Sequence, residues 1–204
     1  MSWSANYLVH SLTLAWGEDP RTFFYQKVLR LSDGIFHIGS VSLPLILGLV
    51  VCWVWIILSI WKGARTVSKV VYVTVTLPWA ILIILVIGGL TLPGAGEGVK
   101  YYLTPNWRQL LNPELWQAAF TQVFFSLSVG FGVMIAYASF LPPNSDVVNN
   151  AFIIGLADAS TAFVGGFAVF SALGYYAQLQ GVPVQDVMKS GPELAFVTYP
   201  AIIN

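Results

Sequence analysis

Charge is scarce in this chain. Of its 204 residues only 9% are charged and 57% are hydrophobic, whereas an ordinary soluble domain is about a quarter charged. Mean hydropathy is +0.75. Disorder is excluded, because it needs low hydrophobicity and high net charge, and so is an ordinary water-soluble globule. Nine Lys and Arg balance nine Asp and Glu. No basic field exists to hold phosphates, and no nucleic-acid partner is expected. A single cysteine, Cys52, excludes a disulfide framework and any multi-cysteine metal site. His10 and His37 lie far apart in sequence and make a poor metal cluster. There is no Asn-x-Ser/Thr sequon, no soluble repeat and no low-complexity segment.

What the chain does have is long uncharged runs. No charged residue occurs from Ile38 to Trp61, from Val70 to Gly96, or from Leu115 to Ser145. From Val147 to Gln185 there is one, Asp158. A helix needs about 20 apolar residues to cross a bilayer core about 30 Å thick. Four transmembrane spans are therefore expected, at 41–61, 70–92, 114–140 and 148–176, in an all-α membrane protein. Met1 to Gly17 is uncharged but short for a span, and it carries Asn6 and His10. It lacks the basic region and cleavage site of a signal peptide and reads as the end of a helix that begins earlier. The loop after the first full span holds Lys62, Arg65 and Lys69 with no acid, so it reads as cytoplasmic. Arg21, Lys27, Arg30, Lys100, Arg108 and Lys189 fall on the opposite side, mixed with acids.

Local punctuation supports this layout. Pro78 removes a backbone donor inside the second span and should kink it. Asn112-Pro113-Glu114 is a helix start: a capping Asn, a first-turn Pro, then an acid at the positive end. Pro142-Pro143 ends that helix. Tyr101, Tyr102 and Trp107 beside Lys100 and Arg108 suit a membrane interface. Pro183, Pro192 and Pro200 interrupt the remainder, which reads as two short helices at the membrane surface.

The third span reads Gln122-Val-Phe-Phe-Ser126-Leu-Ser128-Val-Gly130-Phe131-Gly132. Two hydroxyls and two glycines thus sit near mid-membrane. Glycine lowers the cost of leaving helical geometry, and serine bonds to freed backbone groups. A broken helix exposes amides at one half-helix end and carbonyls at the other, suited to an anion and a cation. Close packing through Ser128-x-x-x-Gly132 is the alternative.

Asp158 in the fourth span is costly at membrane depth and by default functional. Gly155, Asp158, Ala162 and Gly165 share one helical stripe, so Asp158 is expected to face protein across small residues. Ser126 lies 15 residues before Leu141, and Asp158 lies 12 residues after Asp146. At about 1.5 Å per residue, both sit about 18–23 Å from the same loop. Helices joined by a short loop are usually neighbours, so these two side chains are expected to meet. Hydroxyl, carboxylate and carbonyl oxygens suit a small hard cation. The competing reading is an ion pair with a base from elsewhere, and none of the four spans supplies one.

These residues resemble a known family. The run from Gln122 to Val133, followed by Tyr137-Ala-Ser, closely resembles the sixth helix of the neurotransmitter:sodium symporter family. Asp158-Ala-Ser-Thr-Ala-Phe-Val-Gly-Gly-Phe resembles its seventh. Gly191-Pro-Glu-Leu-Ala-Phe-Val-Thr-Tyr-Pro resembles the fourth extracellular loop, and Trp3-Ser-Ala-Asn-Tyr-Leu the end of the third helix. The resemblance implies a bundle fragment of the leucine-transporter fold with one discontinuous helix. On that layout residues 1–16 end a helix, 17–40 form an extracellular loop, and 177–204 form an extracellular lid loop. It also implies a multi-pass protein of the cell membrane that couples sodium to the uptake of an amino acid or related amine by alternating access.

Residue by residue, the resemblance places sodium at Ser126 and Asp158, with Gln122 a polar neighbour of the ion site. It places the substrate amine at Phe125, Ser126 and Ser128, and a side-chain pocket wall at Phe131. Two positions depart from chloride-dependent members, which usually carry Ser where this chain has Ala162 and Asn where it has Asp158. Asp158 is then expected to supply the negative charge itself, and chloride is not expected to be required. The family's other helices are not in this sequence, so this chain alone is expected not to transport. The alternative is a non-transporting truncated fragment or assembly partner. An ion channel would show rings or repeats of pore residues. A membrane enzyme would need a histidine cluster, paired carboxylates or an activated nucleophile in the spans. Nothing in the residues sets the substrate's identity or an oligomeric state.

Overall fold

The structure, a computed structural model, describes the whole chain apart from Asp33, Ile35, Ile38, Lys189, Ser190 and Asn204, and apart from the side chains of Ala64 and Arg65. Lys189 and the Arg65 side chain, both used above to orient the chain, thus lie outside the described residues. Every regular element among the described residues is helical. In a bilayer, backbone N–H and C=O groups have no water to bond, so an apolar run must satisfy them within itself.

Helix α1 (Ser2–Ser11) is followed by a short helix α2 (Pro20–Thr22), which runs into a π-helical turn, Phe23–Val28. The Asp19 carboxylate starts α2 by accepting from the Thr22 N–H at 3.0 Å. Two long apolar helices come next, α3 (Leu43–Ile60) and α4 (Ala64–Leu90). α4 continues through Pro78 without a break. Helix α5 (Ala95–Leu103) precedes α6 (Pro113–Ser126) and α7 (Val133–Ala138). The start expected at Asn112 is present: its side chain accepts from the Glu114 N–H at 3.0 Å, with Pro113 in the first turn. Helix α8 (Val147–Gln180) is the longest, capped by Asp146 at its start and by Gly181 (φ 65°) at its end. Its 34 residues span about 50 Å. Short helices α9 (Val184–Val187) and α10 (Tyr199–Ile203) follow, with a π-helical turn, Leu194–Thr198, leading into α10.

Three helices are long and apolar enough to cross a membrane, and they carry α3, α4 and α8. This is a multi-pass, all-α membrane fold. The stretch 114–140 is two helices rather than one, because the backbone turns left-handed three times within five residues (Ser128 φ 53°, Gly130 φ 84°, Gly132 φ 76°).

Backbone-close packing sets the framework around α8. A Cβ on Gly98 of α5 would lie 1.8 Å from the Phe170 carbonyl oxygen, and one on Gly174 would lie 2.6 Å from the Gly94 oxygen. Gly89 of α4 meets the fully buried Ser171, and Tyr102 lies over Gly166 with its ring stacked on Phe170 at 4.8 Å. The covered stripe of α8 therefore runs through Gly166, Ser171 and Gly174. Gly155 and Gly165, expected to admit a neighbour, face open space: a methyl added at either would meet no described atom within 4 Å. Gly165 and Gly166 point about 100° apart on the helix, and α5 occupies the second direction.

A second core lies between α1 and the segments after it. Tyr7, Trp16, Phe23, Phe24 and Val28 are buried together, with Trp3 and Phe196 against them. Asn6 ties α1 to the start of α3 by donating to the Pro44 carbonyl at 3.0 Å.

Candidate functional site

The helical ladder of α6 stops at Ser126. Beyond it the backbone closes on itself in tight turns: Leu127 N–H to Val123 O, Ser128 N–H to Phe125 O and Val129 N–H to Phe124 O, at 3.0–3.2 Å. A new ladder starts when the Ala136 N–H reaches the Gly132 carbonyl. In between, no backbone N–H among the described residues reaches the carbonyls of Ser126, Leu127, Val129, Gly130 or Phe131. The Ser126 and Leu127 oxygens stand at the negative end of α6, where a cation is favoured. The choice between a broken helix and a close-packed small pair thus falls to the break. Gly130 and Gly132 adopt left-handed backbone at no steric cost, whereas Ser128 holds it against a penalty of about 1–2 kcal/mol.

At this break Ser126 Oγ donates to Asp158 Oδ1 at 2.7 Å. The bond joins the end of α6 to the middle of α8, across 32 residues. One turn further along α8 the Thr161 hydroxyl bonds back to the Ala157 carbonyl, so it is occupied within its own helix. Phe125 and Phe131 bracket the break, their rings edge-on at 5.9 Å. Ser128 sits between them, half-buried. Gln122 lies one turn before Ser126 on the same face of α6, and its side chain makes no hydrogen bond among the described residues. The structure thus brings Ser126 to Asp158 and Phe125 to Phe131, with Ser128 within the break and Gln122 one turn before it and not engaged. Among the described residues no group of three His, Cys, Asp or Glu side chains is placed to hold a metal. A cation here would be held by one carboxylate, a hydroxyl and backbone oxygens, which suits a monovalent hard ion better than a soft metal.

The description "Sodium:neurotransmitter symporter family" belongs to the family model that matches residues 1–204. The chain belongs to this family. Among its curated relatives, the sodium- and chloride-dependent taurine transporter of Rattus norvegicus is 45% identical over 182 residues, which is 89% of this chain and 29% of that protein. The sodium- and chloride-dependent GABA transporter 2 of Rattus norvegicus is 42% identical over 181 residues, 89% of this chain and 30% of that protein. The sodium- and chloride-dependent creatine transporter 1 of Bos taurus is 40% identical over 204 residues, 98% of this chain and 32% of that protein. The chain therefore spans about a third of the length of these relatives.

These relatives overturn one expectation, that chloride is not required: all three are named chloride-dependent. The expectation rested on Asp158 as a spare negative charge. In the structure its Oδ1 accepts from the Ser126 hydroxyl, and the presence of a carboxylate at 158 does not by itself replace an anion.

The packing centre around Phe196 is not evident in the sequence. The signal available is the pair of aromatic clusters Phe23-Phe24-Tyr25 and Phe196-Val-Thr-Tyr199, but nothing in their spacing says that they meet.

Proposed function

We propose that this chain forms part of a sodium- and chloride-dependent carrier that moves an amino acid or related amine across the membrane by alternating access. The observation that carries the reading is the Ser126–Asp158 hydrogen bond at the break between α6 and α7. A hydroxyl and a carboxylate meet there beside backbone carbonyls that no described N–H reaches. Sodium takes Ser126 Oγ, an Asp158 oxygen and carbonyls of the break, with Gln122 as a polar neighbour. The substrate amine lies against Phe125, Ser126 and Ser128, and Phe131 walls the pocket. The loop 177–204 is read as the lid on the outer side.

The relatives' printed substrates, taurine, GABA and creatine, each join a nitrogen cation to an acidic group. A zwitterion of that kind matches a site with oxygens at one half-helix end and amides at the other. The test is uptake of labelled zwitterions by the full-length protein in vesicles. Uptake should need both sodium and chloride. Persistent uptake in choline medium, or in gluconate medium, removes the corresponding ion from the mechanism.

A further inference from the structure

We propose that Glu193 is a positioning residue that latches the 194–203 segment onto the π-helical turn Phe23–Val28, with Tyr25 as its principal partner. The inference goes beyond the transport reading and is tested without it.

Two π-helical turns, Phe23–Val28 and Leu194–Thr198, touch through the rings of Phe24 and Phe196. Such turns are rare and recur where a fold holds a functional segment. Phe196 lies flat against Phe24, with ring centres 5.3 Å apart and an interplanar angle of 8°. Tyr7 Oη donates to the Phe196 carbonyl at 2.8 Å. On its other side, Leu194 packs against Leu173, Ala177 and Val187. The segment is therefore a wedge, aromatic toward α1 and aliphatic toward α8.

Glu193 stands at the entry to this wedge, two residues after Gly191, where the backbone reverses at φ 65°. Tyr25 Oη donates to Glu193 Oε1 at 3.0 Å, and Arg21 Nη2 lies 3.7 Å from the same oxygen. A cavity of about 380 Å³ opens beside them, lined by Glu18, Arg21, Asp186, Glu193 and Thr198 among others. Water thus reaches the latch, and the contact is one that can be broken.

Magnitudes decide which partner matters. The Arg21 side chain is 73% exposed, and an exposed pair at this distance contributes about 1 kcal/mol or less. A hydroxyl donating to a charged carboxylate is the stronger contact. Tyr25 therefore carries the latch and Arg21 steers the carboxylate.

The experiment is amide hydrogen exchange on the full-length protein in detergent, following peptides that cover 194–203 with 147–180 as internal reference. Y25F and E193A are each expected to speed exchange in 194–203 by about five- to tenfold. The double variant should not exceed E193A, because both changes remove the same Tyr25–Glu193 contact. E193Q should retain most of the protection, since its amide oxygen still accepts from Tyr25. Wild-type exchange in Y25F overturns the proposal, as does an additive double variant. Loss of protection in E193Q equal to that in E193A transfers the role to Arg21 and overturns it too, and so does faster exchange spread evenly over 147–180.

Discussion

Ser126 Oγ lies 2.7 Å from Asp158 Oδ1, so the last residue of α6 and the one acid within α8 form a single polar contact at the helix break. If that contact holds sodium, each partner should be needed. S126A is expected to weaken sodium dependence of substrate binding by about tenfold, and D158A by more, since it removes a charge as well as a ligand. Sodium titration of labelled-substrate binding to the full-length protein reads this. Unchanged sodium affinity in both variants removes the pair from the ion site.

The break itself is testable at its glycines. Gly130 and Gly132 hold φ of 84° and 76° with open space around them. Replacing either by Ala meets no neighbour, so the effect is on the backbone alone, about 1–2 kcal/mol against the left-handed form. G130A/G132A should therefore lower sodium-dependent binding about tenfold or more and also lower thermal stability, by the strain alone and not by a clash.

A clash is expected instead at the α5–α8 contact. A methyl on Gly98 would sit 1.8 Å from the Phe170 carbonyl oxygen, and that oxygen is backbone that cannot swing away. G98A should destabilise by about 1–3 kcal/mol or more through overpacking. G155A, which meets nothing within 4 Å, should be neutral or slightly stabilising, because Ala is the better helix former. Thermal unfolding in detergent separates the two.

The segment from Asp19 to Val28 should also report pH at both extremes. Hydrogen bonds from Thr22 hold the Asp19 carboxyl below its ordinary value of 3.8. A depressed carboxylate adds stability that is full above that value and is lost as pH falls through the lower one. The hydrogen bond to Glu193 holds the Tyr25 phenol above its ordinary value of 10.0. That contribution is full below pH 10 and is lost as pH rises through the higher value. Hydrogen exchange of 20–28, corrected for intrinsic rates, should be flat between about pH 4 and 10 and rise outside that window. Y25F should remove the alkaline rise and leave the acid one.

Several features were legible in the residues. Asn112-Pro113-Glu114 starts a helix because the cap is local chemistry. Asp158 reaches Ser126 because depth in the membrane can be counted from a shared loop. The face of α8 that is covered was not legible. Gly155, Gly165, Gly166 and Gly174 are all glycines in one apolar helix, and only α5, arriving with Gly98 and Tyr102, selects Gly166 and Gly174. The expectation about chloride failed against the relatives, all named chloride-dependent, for a related reason. A carboxylate's presence at 158 says nothing of what it faces, and it faces Ser126.

By itself the sequence determined that the chain lives in lipid, that its apolar runs are helices, and where one of them can break. Those outcomes follow from composition and from backbone bonds that close within a few residues. Tertiary structure alone decided that Phe196 stacks on Phe24, that Glu193 meets Tyr25, and which stripe of α8 is buried. Each of these joins segments far apart in the chain. Such contacts depend on how whole helices settle against one another, which no local run of residues encodes.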